Sequence, residues 1–316
     1  MERTFINIGY VTKTNINNLN SSENPGNLVI AKKIRDSKGD AYIYVSGQAM
    51  RCYIKETMNE LGMTLVSVND SGEYVIKSKN KDRERYNDII KNYPDLDLFG
   101  FMEAAKGSKQ MALRRWSPIK VSPMISIYPW KGESDLLTRK KEGNKGGDLV
   151  KVEVNTFNFM RGTILVDLNA IGCYVEESNN VLTKVIDDSE KKKRLDYLVE
   201  SLKHLDGGAK RARLLDDLTP KFVIISKQKT GAPVFLNSLS VNKEGAINID
   251  LIKEAIDEYK LEDYVIGIRS GIFSNETEIK EEKAFDKKIL KVNEAFDKVK
   301  VWVEIKEDGK NQSTPV

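Results

Sequence analysis

One histidine, His204, stands in the 316-residue sequence. No Ser-His-Asp, Cys-His or multi-histidine metal arrangement can be built around it. It lies near the end of a helical pattern, where a positive charge is favoured by the helix C-terminus. The same residue could act as general base in metal-independent RNA cleavage. The paired acids Asp187–Asp188 and Asp216–Asp217 are of the type that holds Mg²⁺, and equally of the type that caps helices and turns. Cys52 and Cys173 are isolated, which supports neither a disulfide framework nor a thiolate zinc site. There is no Walker A loop and no GxGxxG, so nucleotide chemistry has no support. The expectation is a chain without cofactor or metal that is not an enzyme.

The residues able to hold a nucleic acid fall in three clusters. The first is Ser46–Gly47–Gln48 with Arg51 and Lys55. A helix N-terminus offers free amides and a positive dipole end to a phosphate, and glycine lets the backbone come close. An ordinary capped surface helix would carry the same residues. The second is Gly207–Gly208–Ala209–Lys210–Arg211–Ala212–Arg213. Glycines followed by bases can cradle phosphates, or simply end a helix in a solvated turn. The third runs from Lys106 to Lys145, where Arg114, Arg115 and Lys120 mingle with Trp116, Tyr128 and Trp130. Bases among aromatics suit single-stranded nucleic acid; core aromatics beside a basic loop read the same way. Lys106 to Gly147 holds ten Lys/Arg against three acids, whereas Glu244 to Lys310 holds twelve against seventeen, so the net charge of +4 conceals a cationic middle and an acidic end. That asymmetry fits a polyanionic partner.

These clusters need elements to position them. Thr4–Val11 alternates as a strand, a basic stretch with Lys32, Lys33 and Arg35 follows, and Ala41–Val45 is extended. Ser46 caps a helix whose apolar stripe is Met50, Ile54, Met58 and Leu61, ending at Gly62. A short helix is predicted over Arg83–Lys91, and an edge or bulged strand over Ser117–Tyr128, interrupted by Pro118 and Pro123. Val150–Phe159 and Thr163–Leu168 read as two strands about a turn at Met160–Arg161–Gly162. A helix is predicted over Asp188–Leu205, then strands at Lys221–Ser226, Ala246–Ile249 and Tyr264–Ile268 around a helix at Leu251–Tyr259. A helix over Glu281–Val299 and a strand over Val301–Ile305 close the chain. The order matches an α+β fold with a ferredoxin-like, RNA-recognition-motif-like βαββαβ core. One domain, 1–316, draws this core from 4–12, 41–62, 111–128, 150–169 and 188–226. It carries an insertion at 62–105, a basic thumb-like hairpin insertion within 106–161, a C-terminal α/β elaboration at 240–306 and a polar tail at 307–316. The opening MERTFINIGY lacks a secretory layout and no apolar run is long enough for a bilayer, so a cytoplasmic protein with no membrane contact is expected.

At YVSGQAMRCYIKE (Tyr44–Glu56), RRWSPIKVSPMISI (Arg114–Ile127), GGAKRARLLDDLTPKFVII (Gly207–Ile225) and TFINIGYV (Thr4–Val11) the sequence resembles the DevR-type CRISPR-associated autoregulators, backbone subunits of type I Cascade surveillance complexes. The resemblance spans residues 4–226. It implies head-to-tail copies along a CRISPR guide RNA, other Cascade subunits as partners, and a guide held for pairing with a target DNA strand. By position, Ser46, Gly47, Gln48 and Arg51 would meet guide phosphates, with Lys210, Arg211 and Arg213 nearby. The basic stretches add Arg35, Lys55, Arg114, Arg115, Lys120 and Arg161 to the RNA-binding set. The thumb would arise from about Lys106 to Arg161, its wedging residue unassigned. Guide-processing relatives carry a stricter glycine-rich loop, which Gly267 and Gly271 only sketch. Beside the non-catalytic subunit stand an endoribonuclease using His204 and a DNA-binding autoregulator.

Overall fold

The computed structural model describes residues 3–22, 25–104, 112–139, 148–176 and 181–303. At its centre runs β1 (Phe5–Asn17), buried continuously over its first eight residues. A strand buried on both faces needs partners on both edges and a layer over each face. On one edge β1 pairs antiparallel with β14 (Phe222–Gln228), Tyr10 opposite Val223; on the other it pairs antiparallel with β11 (Asn155–Asp167), Ile8 opposite Ile164. Beyond β11 lie β7 (Ile119–Val121) and β8 (Met124–Ser126), both antiparallel to it, then β4 (Ala41–Val45) and β3 (Lys33–Arg35). Beyond β14 lie β15 (Tyr264–Ile268) and the short β16 (Ile289–Leu290).

One face of this sheet is covered by α1 (Gly47–Glu60), α4 (Asp188–Lys203) and α7 (Val292–Val303). The stripe Met50, Ile54 and Met58 is fully buried in the same core as Ile8, Tyr10, Ile119 and Met124. Local chemistry fixes the helix starts. Ser46 Oγ accepts from Ala49 N at 3.2 Å, and Asp187 accepts from Glu190 N at 2.8 Å, each satisfying an orphan amide. The opposite face carries α5 (Ile249–Glu258) and the segment through Phe235 and Leu239. That segment lies directly on β1: a Cβ on Gly9 would stand 2.7 Å from Phe235 Cβ.

The predicted helix over Arg83–Lys91 is α2 (Asp82–Asn92), followed by α3 (Pro94–Phe99), whose proline occupies the first turn where its missing N–H costs nothing. Two short antiparallel pairs flank them, β5 (Phe101–Glu103) with β6 (Leu113–Arg115), and β12 (Cys173–Val175) with β13 (Leu182–Lys184). β9 (Ser134–Arg139) and β10 (Asp148–Glu153) pair antiparallel, and β10 also pairs parallel with β2 (Leu28–Val29). Lys106, Lys109, Lys140, Lys141, Lys145 and the tail 307–316 lie outside the described residues.

Several elements differ from the sequence reading. There is no turn at Met160–Arg161–Gly162; β11 runs straight through. Gly162 is a packing glycine, since a Cβ there would stand within 2.4 Å of the Tyr10 hydroxyl. Ser117–Tyr128 divides into β7 and β8 on either side of Ser122–Pro123, and the proline has no N–H for the ladder. Ala246–Ile249 contributes only an isolated bridge, Val241 to Ile247, because Asn248 caps α5. The long C-terminal helix is instead α6 (Glu276–Glu281), a 3-10 turn at Lys283–Phe285, β16 and α7. Lys287, at φ 58°, supplies the left-handed break. The residues Val301–Val303 end α7 and form no strand.

Candidate nucleic-acid interface

Beyond β1 the chain continues through Asn18, Leu19 and Asn20, and these three residues join the first two clusters. Ala209 N donates to Asn18 O at 3.0 Å. The Tyr53 hydroxyl, on α1, donates to Leu19 O. Asn20 Oδ1 accepts from Ser46 N at 3.1 Å. From the other side Gly207 lies flat on the Tyr53 ring, where a Cβ would come within 2.3 Å of Cγ. The start of α1 and the glycine loop are thus parts of one surface, held through backbone groups that only this topology brings together. Tyr53 is the keystone that sequence reasoning missed. Burial, aided by the charges of Glu56 and Cys52 and opposed by a backbone contact at Gly208, pushes its hydroxyl pKa up to about 12, so it stays a neutral donor.

Gly47 is required where it stands: a Cβ would meet Val121 O at 2.6 Å, so α1 starts hard against β7. Gln48 is exposed beside it. Arg51 is half-buried, donates to Phe99 O and sits 5.7 Å from the Phe99 ring centre; burial lowers its guanidinium pKa. Lys55 faces Asp95, whose carboxyl burial pushes up while the Val66 amide and the Lys55 charge pull it back. The cationic face of α1 is therefore partly covered by α3. On the loop, Lys210 adopts φ 58° and its carbonyl accepts from Arg213 N and Leu214 N at 2.9 and 3.0 Å. Lys210, Arg211 and Arg213 are exposed on this turn, Arg211 in an ion pair with Asp206.

The third cluster is dispersed. Arg115 leaves the binding set altogether. It is 4% exposed and donates to Asp97, Ala170 O, Cys173 O and the Tyr86 hydroxyl. A buried guanidinium with its donors engaged cannot meet a phosphate. Its neighbour Arg114 is exposed and lies 4.7 Å over the ring of Trp116, which is itself 72% exposed. Trp130 is structural: Nε1 donates to Val154 O at 2.9 Å and Lys33 Nζ lies 3.7 Å from its ring centre. Lys120 is exposed on β7. Arg161, which burial shifts to a lower pKa, donates to Leu239 O at 2.5 Å on the sheet face opposite α1, α4 and α7. Arg35 donates to Gly39 O at 2.7 Å at the exposed edge strand β3.

The paired acids have local duties. Asp216 accepts from Asn15 N at 3.1 Å and from Asn17 Nδ2 at 2.5 Å, and Asp217 pairs with Lys221 at 2.7 Å. No cluster of metal-ligating side chains occurs among the described residues. His204 is exposed at the end of α4, with Nε2 at 3.9 Å from Glu200 Oε2. Burial pushes that carboxyl up, but hydrogen bonds from Lys300 and Lys203 outweigh it and hold the pKa below its usual value. Among the described residues no helix is long and apolar enough to cross a membrane.

Solved structures share the fold, among them these two. One, a chain titled "CRISPR RNA-guided surveillance complex, pre-nicking", aligns with a TM-score of 0.57 at 12% identity, covering 95% of this chain and 100% of its own. The other, from a "CRISPR RNA-guided surveillance complex", gives 0.57 at 14% identity, covering 94% and 99%. No curated protein matches the sequence. The sequence itself matches the profile of CRISPR-associated negative auto-regulators DevR/Csa2 over residues 8–244, more than half of its length, and the chain belongs to that family.

Proposed function

We propose that this protein is a non-catalytic guide-RNA-binding subunit, repeated along a CRISPR guide RNA in a type I Cascade-like complex, where it holds the guide for pairing with target DNA. The observation that carries this reading is the joining of the α1 N-terminus to the Gly207–Arg213 loop through Asn18–Asn20. The exposed side chains of Gln48, Lys210 and Arg213 on these joined turns form a surface suited to consecutive phosphates and not to a single small anion. The strand order β14-β1-β11-β7, all antiparallel, with α1 and α4 as the connecting helices, supports a ferredoxin-like core. The β9–β10 hairpin supports the thumb: Val150 and Leu137 pack inward while Leu136 and Leu149 are 57% and 51% exposed. Other copies of the chain and other surveillance-complex subunits are the partners this reading requires, in the cytoplasm.

Light scattering after size-exclusion chromatography tests it, with the chain alone and with unstructured RNA of increasing length. Mass that grows with RNA length, and ceases to when Lys210 and Arg213 become Glu, supports the reading. A monomer indifferent to RNA sinks it. The rival, guide cleavage with His204 as base, predicts metal-independent cutting abolished by His204→Ala. Its imidazole is exposed beside a carboxylate already engaged by two lysines.

A further inference from the structure

Asn18 bonds to three separate segments. Its carbonyl accepts from Ala209 N at 3.0 Å, in the loop that carries Lys210 and Arg213. Its Nδ2 donates to Glu153 O at 2.8 Å, at the end of β10. Its Oδ1 accepts from Ser21 Oγ at 2.8 Å, which fixes the plane of the carboxamide. The residue is 2% exposed, so its bonds are made away from water, where an unmade one is costly.

A second contact joins the same two elements. Leu214, which follows Arg213, is buried in one apolar cluster with Val152 of β10, with Leu137 and Val150 at its margin. Glu153 is held from its other side as well: its Oε2 accepts from Ala31 N at 2.9 Å and from Lys33 Nζ. The basic loop is therefore attached to the β9–β10 pair at both of its ends, by Ala209 through Asn18 and by Leu214 through packing.

We infer that Asn18 is a positioning residue, holding the Lys210–Arg213 turn and the β9–β10 pair at a fixed separation so that one RNA strand meets both without first ordering them. The inference rests on the RNA-binding reading above and adds to it the coupling of two surfaces. Two surfaces that engage one strand act as linked modules. The strand that reaches both gains an effective concentration set by how well their separation is defined. Ordering two independently moving elements at the moment of binding would subtract from that gain. Asparagine suits the place because one short side chain must both donate and accept. Aspartate keeps the shape and the acceptor, loses the donor and sets its charge against Glu153 O.

The test measures affinities for unstructured oligoribonucleotides of increasing length, with the full chain and with Asn18→Asp and Ser21→Ala. The wild type is expected to show a step in affinity at the length that first joins the loop to the β9–β10 pair. In Asn18→Asp the ratio of affinities above and below that step should fall by at least about 5-fold. Ser21→Ala, which only frees the carboxamide, should lower the ratio in the same direction by less, and it decides the matter should Asn18→Asp fail to fold. Hydrogen exchange of the β10 amides should quicken in each folded variant. A lower melting temperature with an unchanged ratio overturns the positioning role and leaves RNA binding standing, as does a wild type that binds RNA without a step. Wild-type protein that binds RNA of no length overturns the RNA reading itself, and this inference with it.

Discussion

Arg194 Nη1 donates to Asp97 Oδ2 at 2.7 Å, and neither side chain is more than 1% exposed. The second carboxylate oxygen takes Arg115, and Gly172 N donates to both oxygens at 3.1 Å. One carboxylate from α3 thus ties α4, β6 and the turn before β12 together. Two guanidiniums share it, and their remaining N–H groups reach the carbonyls of Ile90, Lys91, Ala170 and Cys173. Removing one partner from such a cluster strands buried charge. Asp97→Ala is expected to destabilise by about 3–5 kcal/mol, read as a lower urea midpoint at unchanged m. A loss under about 1 kcal/mol would show that the cluster is solvated in solution.

The same cluster shows why part of the architecture was legible in the sequence and part was not. The α1 signal is local: a serine cap and an apolar stripe at helical spacing fall within one segment; the cap stands, and Met50, Ile54 and Met58 are buried, whereas Leu61, the C-cap, is 39% exposed. Arg115 reads as one half of an exposed basic pair because its partner lies 18 residues away and Arg194 reaches the same carboxylate across 97. Likewise, Gly162 and Gly207 attract attention as turns and Gly47 as a close approach to a phosphate, whereas each is small because a distant atom occupies the space of its Cβ. Gly162 misled the reading of β11 for that reason. Nothing in the run around Phe157 announces its backbone conformation, φ 41° within β11.

Gly207→Ala and Gly72→Ala separate packing from conformational strain. Gly72 has φ 80° and open space around its missing Cβ, so only the left-handed backbone penalty of about 1 kcal/mol applies. Gly207→Ala must displace the Tyr53 ring and with it the bond to Leu19 O. A loss of about 2–3 kcal/mol is expected, combining overpacking with a broken hydrogen bond, together with weaker RNA binding. Equal melting temperatures for the two variants would count against the Tyr53 junction.

Charge removal on the loop should be visible in salt dependence. Lys210→Gln and Arg213→Gln each remove one exposed cation from the turn, so each should flatten the plot of log affinity against log salt by about one unit at unchanged melting temperature. Arg115→Gln should do the reverse, lowering the melting temperature because it breaks the buried cluster. If Arg115→Gln flattened the slope without destabilising the fold, its burial would be contradicted.

The Tyr53 hydroxyl gives the interface a pH limit on the alkaline side. Burial raises its folded pKa to about 12, and raises that of Tyr10 further still. In the unfolded chain both phenols ionise near pH 10. A pKa raised on folding means that the unfolded state binds fewer protons above that point, so stability is complete below about pH 10 and falls as pH rises. Tyr42, Tyr86, Tyr128 and Tyr264 are raised as well, and Tyr53→Phe removes one of these groups. At neutral pH it should cost about 1 kcal/mol through the lost bond to Leu19 O, and above about pH 10 its stability should fall less steeply than that of the wild type. Urea midpoints measured across that range decide the matter: parallel curves would mean that the hydroxyl is solvated, and that Leu19 is held to α1 by packing alone.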